Sequence, residues 1–447
     1  MPFRNFGGVH PSDKKATTNQ QTSAPIEAPK QVFIPMSLHI GAPCVPIVSV
    51  GEYVKRGQKV GDSEAAVSAP IHSPISGTVI KIEPRLHANG SKMTFVVIEN
   101  DYKYALSEDV FPRRENEVYS LTPEEITSII REKGIVGMGG ATFPTAFKIT
   151  SGLGKVDTVI INGAECEPYI TSDHRTMLEH PNEVLIGIAL LMKACRVEKA
   201  SLGIECNKKD AIELLRSKGV EKLGINIVEL PCRYPQGAEK QLIQAITGRE
   251  IPPGGLPASV GCAVFNTFTA YEVYRAVYEQ MPVVERVITV SGSAVSEPKN
   301  LIVPIGTPIS YVFEQAGGFW EEPSKIIMGG PMMGLAMYSL DVPTIKGTNA
   351  LLAFTEKEDR TVENPQCIRC GKCVNTCPMN LMPLYLYMYE QKSDYDNMEK
   401  YHITDCIECG ACTFACPARL HLTHSCRTGK AKLIAKANLE KAKREGK

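Results

Sequence analysis

The pattern of hydrophobic and polar residues divides the chain into four successive modules. Short apolar runs separated by glycines predict a β-rich module at residues 31–113. Apolar strands alternate with helical periodicity over residues 114–285, which indicates a parallel α/β sheet. Short β-type runs return at residues 286–355, and residues 356–426 are rich in cysteine. The fold class is therefore predicted to be multidomain, with α+β and α/β parts.

The α/β module shows the clearest alternation of elements. Thr122 and Glu125 form a capping-box pattern that predicts the start of a helix. Strands are predicted at 156–161, 200–205 and 225–230, and helices at 182–194, 210–218 and 238–247. Because ligands bind such sheets at the loops that follow the strands, we expect a site in these loops.

The two ends of the chain differ from these modules. Residues 1–30 are rich in Ser, Thr, Gln, Pro and Lys and lack apolar periodicity, which predicts a flexible arm. Residues 427–447 form a basic tail with eight Lys or Arg against two Glu. Such a tail is either a solvated helix or a segment that docks on an anionic membrane or an acidic partner protein.

Composition excludes few classes of function. The 447 residues are 43% apolar and 22% charged with a formal net charge of +0, so nothing global indicates a nucleic-acid partner. No apolar run approaches the roughly 18 residues that a membrane-spanning helix needs. The N-terminus lacks the apolar core of a signal peptide.

The cysteine-rich module contains two copies of the motif C-x2-C-x2-C-x3-C-P. This spacing is typical of two-cluster ferredoxins, in which the fourth cysteine of each motif ligates the other cluster. One predicted [4Fe-4S] cluster has the ligands Cys367, Cys370, Cys373 and Cys416. The second has the ligands Cys406, Cys409, Cys412 and Cys377. Zinc is the less favoured alternative, because zinc sites usually pair two C-x2-C knuckles over a longer gap or use histidine.

The segment between the two motifs predicts a helix. Leu381, Leu384, Tyr385 and Met388 follow the i, i+3, i+4, i+7 spacing of an apolar helix face, so the cluster module is predicted to be helical. The remaining cysteines have no motif spacing and are predicted to fill the core for the most part; they are Cys44, Cys166, Cys195, Cys206, Cys232, Cys262 and Cys426. An odd total of 15 cysteines with ligand-type spacing indicates a reducing compartment.

A glycine-rich loop is the second segment that carries chemistry. Gly137, Gly139 and Gly140 allow backbone amides to approach an anion, and Lys148 can neutralise a phosphate. The loop follows a predicted helix and not a strand, so it is not the usual dinucleotide fingerprint, and a turn that binds nothing remains an alternative. A flavin would link a two-electron nicotinamide donor to one-electron clusters, so the cysteine motifs favour a flavin pocket.

Carboxylates follow the first strand of the α/β module. Glu165 and Glu167 lie just past the strand end and suit ribose hydroxyls, with a solvated turn as the alternative. The β-rich module, with its regularly spaced glycines, resembles the barrel-sandwich fold of biotinyl and lipoyl carriers. Those carriers need a lysine at a hairpin tip, and residues 62–73 contain none. We therefore expect a structural module here.

Three segments, at 137–148, 162–168 and 234–239, resemble in the same order the flavin- and NADH-binding subunit of respiratory complex I. The whole order of modules over residues 31–426 is similar to the RnfC family, which belongs to the Rnf complexes, the membrane-bound ferredoxin:NAD⁺ oxidoreductases. The resemblance implies a barrel-sandwich domain, a Rossmann-like FMN/NADH domain, a soluble-ligand-binding β-grasp domain and a helical two-cluster ferredoxin domain.

The resemblance also implies site residues. Those lining FMN are Gly137, Gly139, Gly140, Lys148, Asn162, Tyr234, Gly237 and Asn266. Phe143, Glu167 and Glu239 meet the nicotinamide nucleotide, and Glu165 lies between the two groups. Glu165 and Glu167 are the candidate catalytic residues. The complex I protein has an arginine and two acidic residues where this chain has Met138, Ala164 and Ala238, so fewer polar contacts to flavin are expected.

The function implied is hydride exchange between NAD(H) and FMN, with single electrons passing through two [4Fe-4S] clusters to other Rnf-type membrane subunits. Those partners include an iron–sulfur protein that accepts electrons from ferredoxin, and they couple the reaction to Na⁺ or H⁺ translocation. The chain is expected to be peripheral on the cytoplasmic side of the cell membrane. Two alternatives are a flavoprotein like the cobalamin reductase of bacterial microcompartments and a flavin-free iron–sulfur relay.

Overall fold

The computed structural model describes residues 7–359 and 361–445. Its strands are β1 (Ala24–Pro25), β2 (Gln31–Pro35), β3 (Val45–Pro46), β4 (Tyr53–Val54), β5 (Lys59–Asp62), β6 (Ile71–His72), β7 (Gly77–Leu86), β8 (Lys92–Asn100), β9 (Thr158–Gly163), β10 (Ala200–Glu205), β11 (Ile225–Leu230), β12 (Cys262–Asn266), β13 (Glu285–Ser291), β14 (Lys299–Pro304), β15 (Lys325–Met328), β16 (Leu335–Ala336) and β17 (Ala350–Phe354).

The α-helices are α1 (Glu115–Ser120), α2 (Pro123–Glu132), α3 (Thr145–Gly152), α4 (Ser172–Glu179), α5 (Pro181–Cys195), α6 (Lys209–Ser217), α7 (Glu239–Thr247), α8 (Thr267–Tyr274), α9 (Ile309–Gln315), α10 (Lys372–Asn375), α11 (Pro383–Gln391), α12 (Tyr395–Lys400), α13 (Ala411–Ala415) and α14 (Leu422–Glu445). Thr122 caps α2 with the predicted capping box.

The β-rich module consists of two small sheets packed on each other. One has the strand order β2-β8-β7-β4 and the other β3-β5-β6. Val32, Ile34, Val60, Ile71 and Val79 from the two sheets are fully buried in one core. The predicted barrel-sandwich fold is confirmed.

The α/β module contains a parallel sheet with the strand order β11-β10-β9-β12. Successive side chains of a strand point to opposite faces, so Val159 and Ile161 enter one core while Ile160 enters another. Helices α5 and α8 pack together on the first face, and α7 covers the second. Both faces are therefore covered, and the carboxyl ends of all four strands meet at one edge of the sheet.

The third module is built on a mixed sheet. Its strand order is β1-β14-β13-β17-β15-β16, and α9 packs on it through Val312 and Phe313. This agrees with the expected β-grasp domain. A loop at residues 329–334 connects β15 to β16 and reaches the functional site described below; we call it the hairpin loop.

The cluster module is helical, as predicted, but the predicted apolar face of its first long helix is wrong. Leu386 and Glu390 of α11 are buried, whereas Tyr385 and Met388 are 39% and 40% exposed, and Leu381 precedes the helix. The Glu390 carboxylate accepts hydrogen bonds from Ser425 (2.6 Å) and Lys432 (2.7 Å) of α14. The Glu390 carboxylate, with its hydrogen bonds made, therefore lies on the buried face of this helix, where the apolar spacing had predicted Tyr385 and Met388.

The prediction of a flexible arm at residues 1–30 is wrong for the part that the structure describes. Residues 7–25, which we call the N-terminal strap, run across the cluster, α/β and β-grasp modules. Gly8 donates to the carbonyl of Thr376, Val9 pairs with Tyr234, and β1 joins the third sheet. The strap is held by hydrogen bonds and one buried lysine, so its sequence shows no apolar periodicity. Its polar composition therefore led to the prediction of disorder. Residues 1–6 lie outside the described residues.

The basic tail continues α14 to Glu445, and residues 446 and 447 lie outside the described residues. Arg427 and Lys430 both pair with Glu408, so the first turns pack back onto the cluster module. Among the described residues, no helix is both long and apolar enough to cross a membrane.

Candidate functional site

The loops that follow three strands of the parallel sheet meet the glycine-rich loop at the carboxyl edge. Asn162 is the penultimate residue of β9, and its side-chain amide donates to the carbonyl of Gly237 (2.8 Å) in the loop after β11. Asn266 ends β12 and lies below Gly139, where an added Cβ would come within 3.4 Å of the asparagine Cβ. Residues from four distant segments therefore form one site at the edge where α/β sheets bind ligands.

The glycine-rich loop closes on itself and presents its tip outward. The amide of Gly137 donates to the carbonyl of Phe143 (2.8 Å), and the amide of Thr142 donates back to Gly137 (3.0 Å). Gly139 and Gly140 are exposed, and Gly140 has φ +113°, a backbone conformation that favours glycine. Apart from Gly140 itself and its two chain neighbours, no heavy atom of the described residues lies within 4 Å of a Cβ built on Gly140. The tip thus leaves open space beside its backbone.

Positive charge flanks this loop. On α3, the Lys148 ammonium donates to the carbonyl of Val264 (2.9 Å) and lies 3.4 Å from the carboxylate of Glu239 at the start of α7. The fully buried Arg286 guanidinium donates to the carbonyl of Met138 from below. Phe143 packs edge-on against Phe147, with ring centroids 5.9 Å apart. This combination of open backbone and cations fits an anionic group such as the phosphate of FMN.

A buried carboxylate adjoins the same loop. The amide of Asn266 donates to one oxygen of Asp173 (2.6 Å), while the Asn266 side-chain oxygen caps α8 by accepting from Phe268 and Thr269. The second oxygen of Asp173 is buried and has no hydrogen-bond partner among the described residues. Burial raises the pKa of Asp173 to about 7. This buried oxygen therefore lacks the hydrogen bond that such groups normally make, and a donor on bound FMN would satisfy it.

Glu165 anchors the acidic loop, residues 164–170. It has φ +48°, its carboxylate accepts the amide of Asp173 (2.7 Å), and its other oxygen lies 3.6 Å from the Lys15 ammonium. Lys15 of the N-terminal strap is buried and also donates to the carbonyls of Glu165 (2.9 Å), Glu167 (3.0 Å) and Ile170. The strap thus holds the backbone of the acidic loop.

Glu167 joins the acidic loop to the hairpin loop. Its carboxylate accepts the amides of Met332 and Met333, each at 3.0 Å, and one of its oxygens lies 3.3 Å from the hydroxyl oxygen of Tyr234. A Cβ at Gly330 would overlap this carboxylate. Burial raises the pKa of Glu167 to about 7, and its hydrogen-bond donors oppose the shift. Both candidate catalytic carboxylates are therefore engaged by the chain itself, and their catalytic role stays a prediction.

Tyr234 links the site to the cluster module. Its buried hydroxyl donates to the carbonyl of Cys409 at 2.6 Å. A Cβ at Gly410 would overlap the carbonyl of Met332, so the second cysteine motif also packs directly on the hairpin loop. Burial raises the pKa of Tyr234, which keeps the hydroxyl protonated as a donor. The tyrosine expected to line FMN thus directs its hydroxyl towards a cysteine motif.

The motif cysteines gather around two cavities. The first is next to Tyr234, and we call it the proximal cavity; it is lined by Cys377, Cys406, Cys409 and Cys412. The second is the distal cavity, lined by Cys367, Cys370, Cys373 and Cys416. Each cavity contains three cysteines of one motif and the fourth of the other. Apolar residues such as Leu386 and Leu420 complete the walls, which suits an iron–sulfur cluster held by thiolates.

A fifth cysteine, Cys426 of α14, also lines the proximal cavity, which the expectation of a core role did not foresee. Because the four motif cysteines complete one set of ligands, we expect Cys426→Ala to keep both clusters. Iron and sulfide analysis of the reconstituted variant should match the unsubstituted protein. A loss of about half of the iron, as expected for a motif cysteine, would assign Cys426 as a ligand.

Several site residues could not be identified from the sequence. Lys15 and Asp173 lie in segments without a motif, and Arg286 has the sequence context of an ordinary strand residue. Lys208, which is buried and donates to the carbonyl of Ala164 (2.7 Å), lies in the loop that follows β10. Its place after a parallel strand is the one signal in the sequence that could have identified Lys208, since ligand-binding residues concentrate in such loops.

Comparison with protein families identifies each module. The RnfC barrel sandwich hybrid domain matches residues 3–103, and the Nuo51 FMN-binding domain matches residues 130–275. The SLBB domain matches residues 287–336, and the 4Fe-4S dicluster domain matches residues 366–420. FMN and iron–sulfur clusters are therefore the cofactors of this chain, which decides against the zinc alternative.

Relatives match over nearly the whole chain. The C subunit of the Na(+)-translocating ferredoxin:NAD(+) oxidoreductase complex of Acetobacterium woodii is 44% identical, over 96% of this chain and 97% of the relative. The C subunit of the proton-translocating complex of Clostridium ljungdahlii is 47% identical, over 98% and 95%. The C subunit of an ion-translocating oxidoreductase complex of Rhodobacter capsulatus is 41% identical, over 97% and 84%.

A solved structure shares the fold. A chain of the NAD+-reducing [NiFe]-hydrogenase in the air-oxidized state superposes with a TM-score of 0.50 at 19% identity, covering 64% of this chain and 57% of that chain. This likeness concerns the fold alone. The matches to all four modules and to relatives over nearly their whole length lead to one conclusion: the chain belongs to the RnfC family of ion-translocating ferredoxin:NAD(+) oxidoreductase complexes.

Proposed function

We propose that this electron-transport protein exchanges hydride between NAD(H) and FMN and passes single electrons through the proximal and then the distal cluster. The contact that carries the proposal is the hydrogen bond from Tyr234 to the carbonyl of Cys409 (2.6 Å), which joins the flavin site to the proximal cavity. When bound, FMN supplies the exchange between two-electron and one-electron chemistry, and the clusters carry single electrons.

The glycine-rich loop and its cations bind and orient the flavin. The exposed backbone at Gly139 and Gly140 would accommodate the phosphate, and Lys148 on α3 would neutralise its charge. Arg286 withdraws electron density from the carbonyl of Met138 below the loop and adds a second positive charge. The fixed arrangement lowers the cost of organising these groups when the cofactor binds.

The acidic loop and the hairpin loop shape the nucleotide side of the site. Glu167 holds the hairpin loop through the amides of Met332 and Met333. Glu239, which is partly exposed beside Lys148, is placed to accept hydroxyls of the nicotinamide nucleotide.

The distal cavity is the proposed exit. Cys367 and Cys370 are exposed, and the neighbouring Ile368 is 66% exposed. An exposed cluster edge with an apolar rim suits contact with another electron carrier. By similarity to the named relatives, we propose that membrane subunits receive or supply these electrons and couple the reaction to ferredoxin and to Na⁺ or H⁺ translocation, with this chain peripheral on the cytoplasmic side.

Flavin binding tests the entry half of the proposal. We expect Lys148→Met to weaken FMN binding about 10- to 100-fold, because one charge-assisted hydrogen bond contributes about 1.5–3 kcal/mol. The measurement is fluorescence titration of the reconstituted chain with FMN. Lys155→Met, which changes an exposed lysine beyond the same helix, is the matched control and should bind FMN like the unsubstituted chain. Equal affinity in both variants would contradict the assignment, and no FMN binding in any form would favour the flavin-free relay.

A further inference from the structure

Two cysteines outside the cluster motifs lie side by side near the flavin site. The sulfur atoms of Cys206 and Cys232 are 3.4 Å apart. Cys232 is exposed and Cys206 is half-buried, so solvent reaches the pair. Both are free thiols in the structure, and neither lines the proximal or the distal cavity. This pair is not explained by the proposed electron path.

The backbone around the pair suits a disulfide. Cys206 is the first residue after β10, and Cys232 is the second residue after β11. These neighbouring parallel strands are in register up to Glu205 and Leu230. The amide of Cys206 donates to the carbonyl of Leu230 at 2.8 Å. Neighbouring strands lie about 4.8 Å apart, and disulfides span Cα distances of about 4.4–6.8 Å.

We propose that Cys206 and Cys232 form a dithiol site that is converted to a disulfide by exchange with low-molecular-weight disulfides, and that the disulfide slows electron transfer at the adjacent flavin site. The thiolate of one cysteine of the pair attacks the reagent disulfide, forming a mixed disulfide and releasing one thiol. The other cysteine then attacks the protein sulfur of the mixed disulfide and releases the second thiol. Two electrons and two protons pass from the protein to the reagent, so the exchange is balanced.

The disulfide would act through the segment that carries Tyr234. Closing the sulfur atoms to about 2.05 Å needs a movement of about 1.3 Å. The backbone of Cys206 is held beside β11 by its hydrogen bond to Leu230, so any backbone movement that accompanies closure falls on Cys232 and on the loop that follows it. That loop contains Tyr234, which contacts Cys409, and Gly237, which accepts from Asn162. A displacement near 1 Å at a reacting site can cost on the order of 100-fold in rate.

The effect of the disulfide on electron transfer rests on the proposed function, whereas the formation of the disulfide does not. The two are therefore measured separately. The full chain, reconstituted anaerobically with FMN and clusters, is treated with oxidised glutathione, alkylated and analysed by peptide mapping. We expect a Cys206–Cys232 cross-link that dithiothreitol reverses. Hydrogen exchange in residues 231–238 should fall with the cross-link, and cluster reduction by NADH should slow at least tenfold and then recover.

Cys206→Ser and Cys232→Ser are the matched variants. In each variant, NADH should reduce the clusters as fast as in the untreated, unsubstituted protein, both before and after treatment with oxidised glutathione. Iron content is measured throughout as a control for cluster damage. Failure of the two cysteines to cross-link would overturn the inference, and so would a cross-link that leaves the rate of cluster reduction by NADH unchanged. If NADH reduces nothing even in the untreated protein, the proposed function fails, while the peptide map and hydrogen exchange still decide whether the dithiol site exists.

Discussion

Replacing Cys409 with alanine is expected to disconnect both clusters from NADH. Cys409 lines the proximal cavity, and its carbonyl accepts the hydrogen bond from Tyr234. Loss of this thiolate removes the cluster that lies between the flavin site and the distal cavity. The reconstituted variant should contain about half of the iron, and NADH should bleach its flavin without reducing the remaining cluster. Absorbance and electron paramagnetic resonance spectra provide the readout.

Cys373→Ala is the matched comparison, because Cys373 belongs to the other motif and lines the distal cavity. It should lose a similar amount of iron, yet NADH should still reduce its surviving proximal cluster. The two variants therefore have equal composition and opposite responses to NADH. Reduction of the surviving cluster in Cys409→Ala, with none in Cys373→Ala, would reverse the proposed order of the clusters.

Lys15→Met is expected to be the most damaging single substitution in the N-terminal strap. The Lys15 ammonium donates to the carbonyls of Glu165, Glu167 and Ile170 and pairs with the Glu165 carboxylate at 3.6 Å. Removing one partner of a buried ion pair costs about 3–5 kcal/mol, since the other charge stays buried and unpaired. We expect a lower thermal unfolding transition and faster hydrogen exchange in residues 164–170.

Lys14→Met provides the control for this substitution. Lys14 is the adjacent lysine in the strap and its side chain is exposed, so its removal should change the free energy of unfolding by less than about 0.5 kcal/mol. NADH should reduce the Lys14→Met protein normally and the Lys15→Met protein more slowly, because the acidic loop loses its anchor. Equal stability of the two variants would show that the strap does not hold the site.

The sequence predicted those features that depend on local spacing. The alternation in the α/β module placed β10 and β11 at their observed bounds and β9 within two residues, because buried parallel strands have few alternative patterns. The doubled cysteine motif predicted which thiols share each cavity, since the crossing of the fourth ligand is a property of the spacing itself. Neither result needed knowledge of distant contacts.

Other features depend on contacts between distant residues and leave little trace in the sequence. Lys15 meets Glu165 across 150 positions, and Tyr234 meets Cys409 across 175. The buried Glu390 shows the same limit within the cluster module, because a carboxylate satisfied by Ser425 and Lys432 breaks the apolar periodicity of its helix. Polar residues with partners far along the chain are therefore where prediction from spacing fails.

The order of reduction after mixing with NADH tests the central claim most directly. The chain, reconstituted anaerobically with FMN, iron and sulfide, is followed by stopped-flow absorbance and freeze-quench electron paramagnetic resonance, with the cluster signals assigned from the Cys373→Ala and Cys409→Ala spectra. We expect the flavin absorbance to fall first, the proximal cluster signal to appear next and the distal signal last. Cluster signals that precede flavin bleaching, or no response to NADH by a protein that contains both flavin and clusters, would contradict the account.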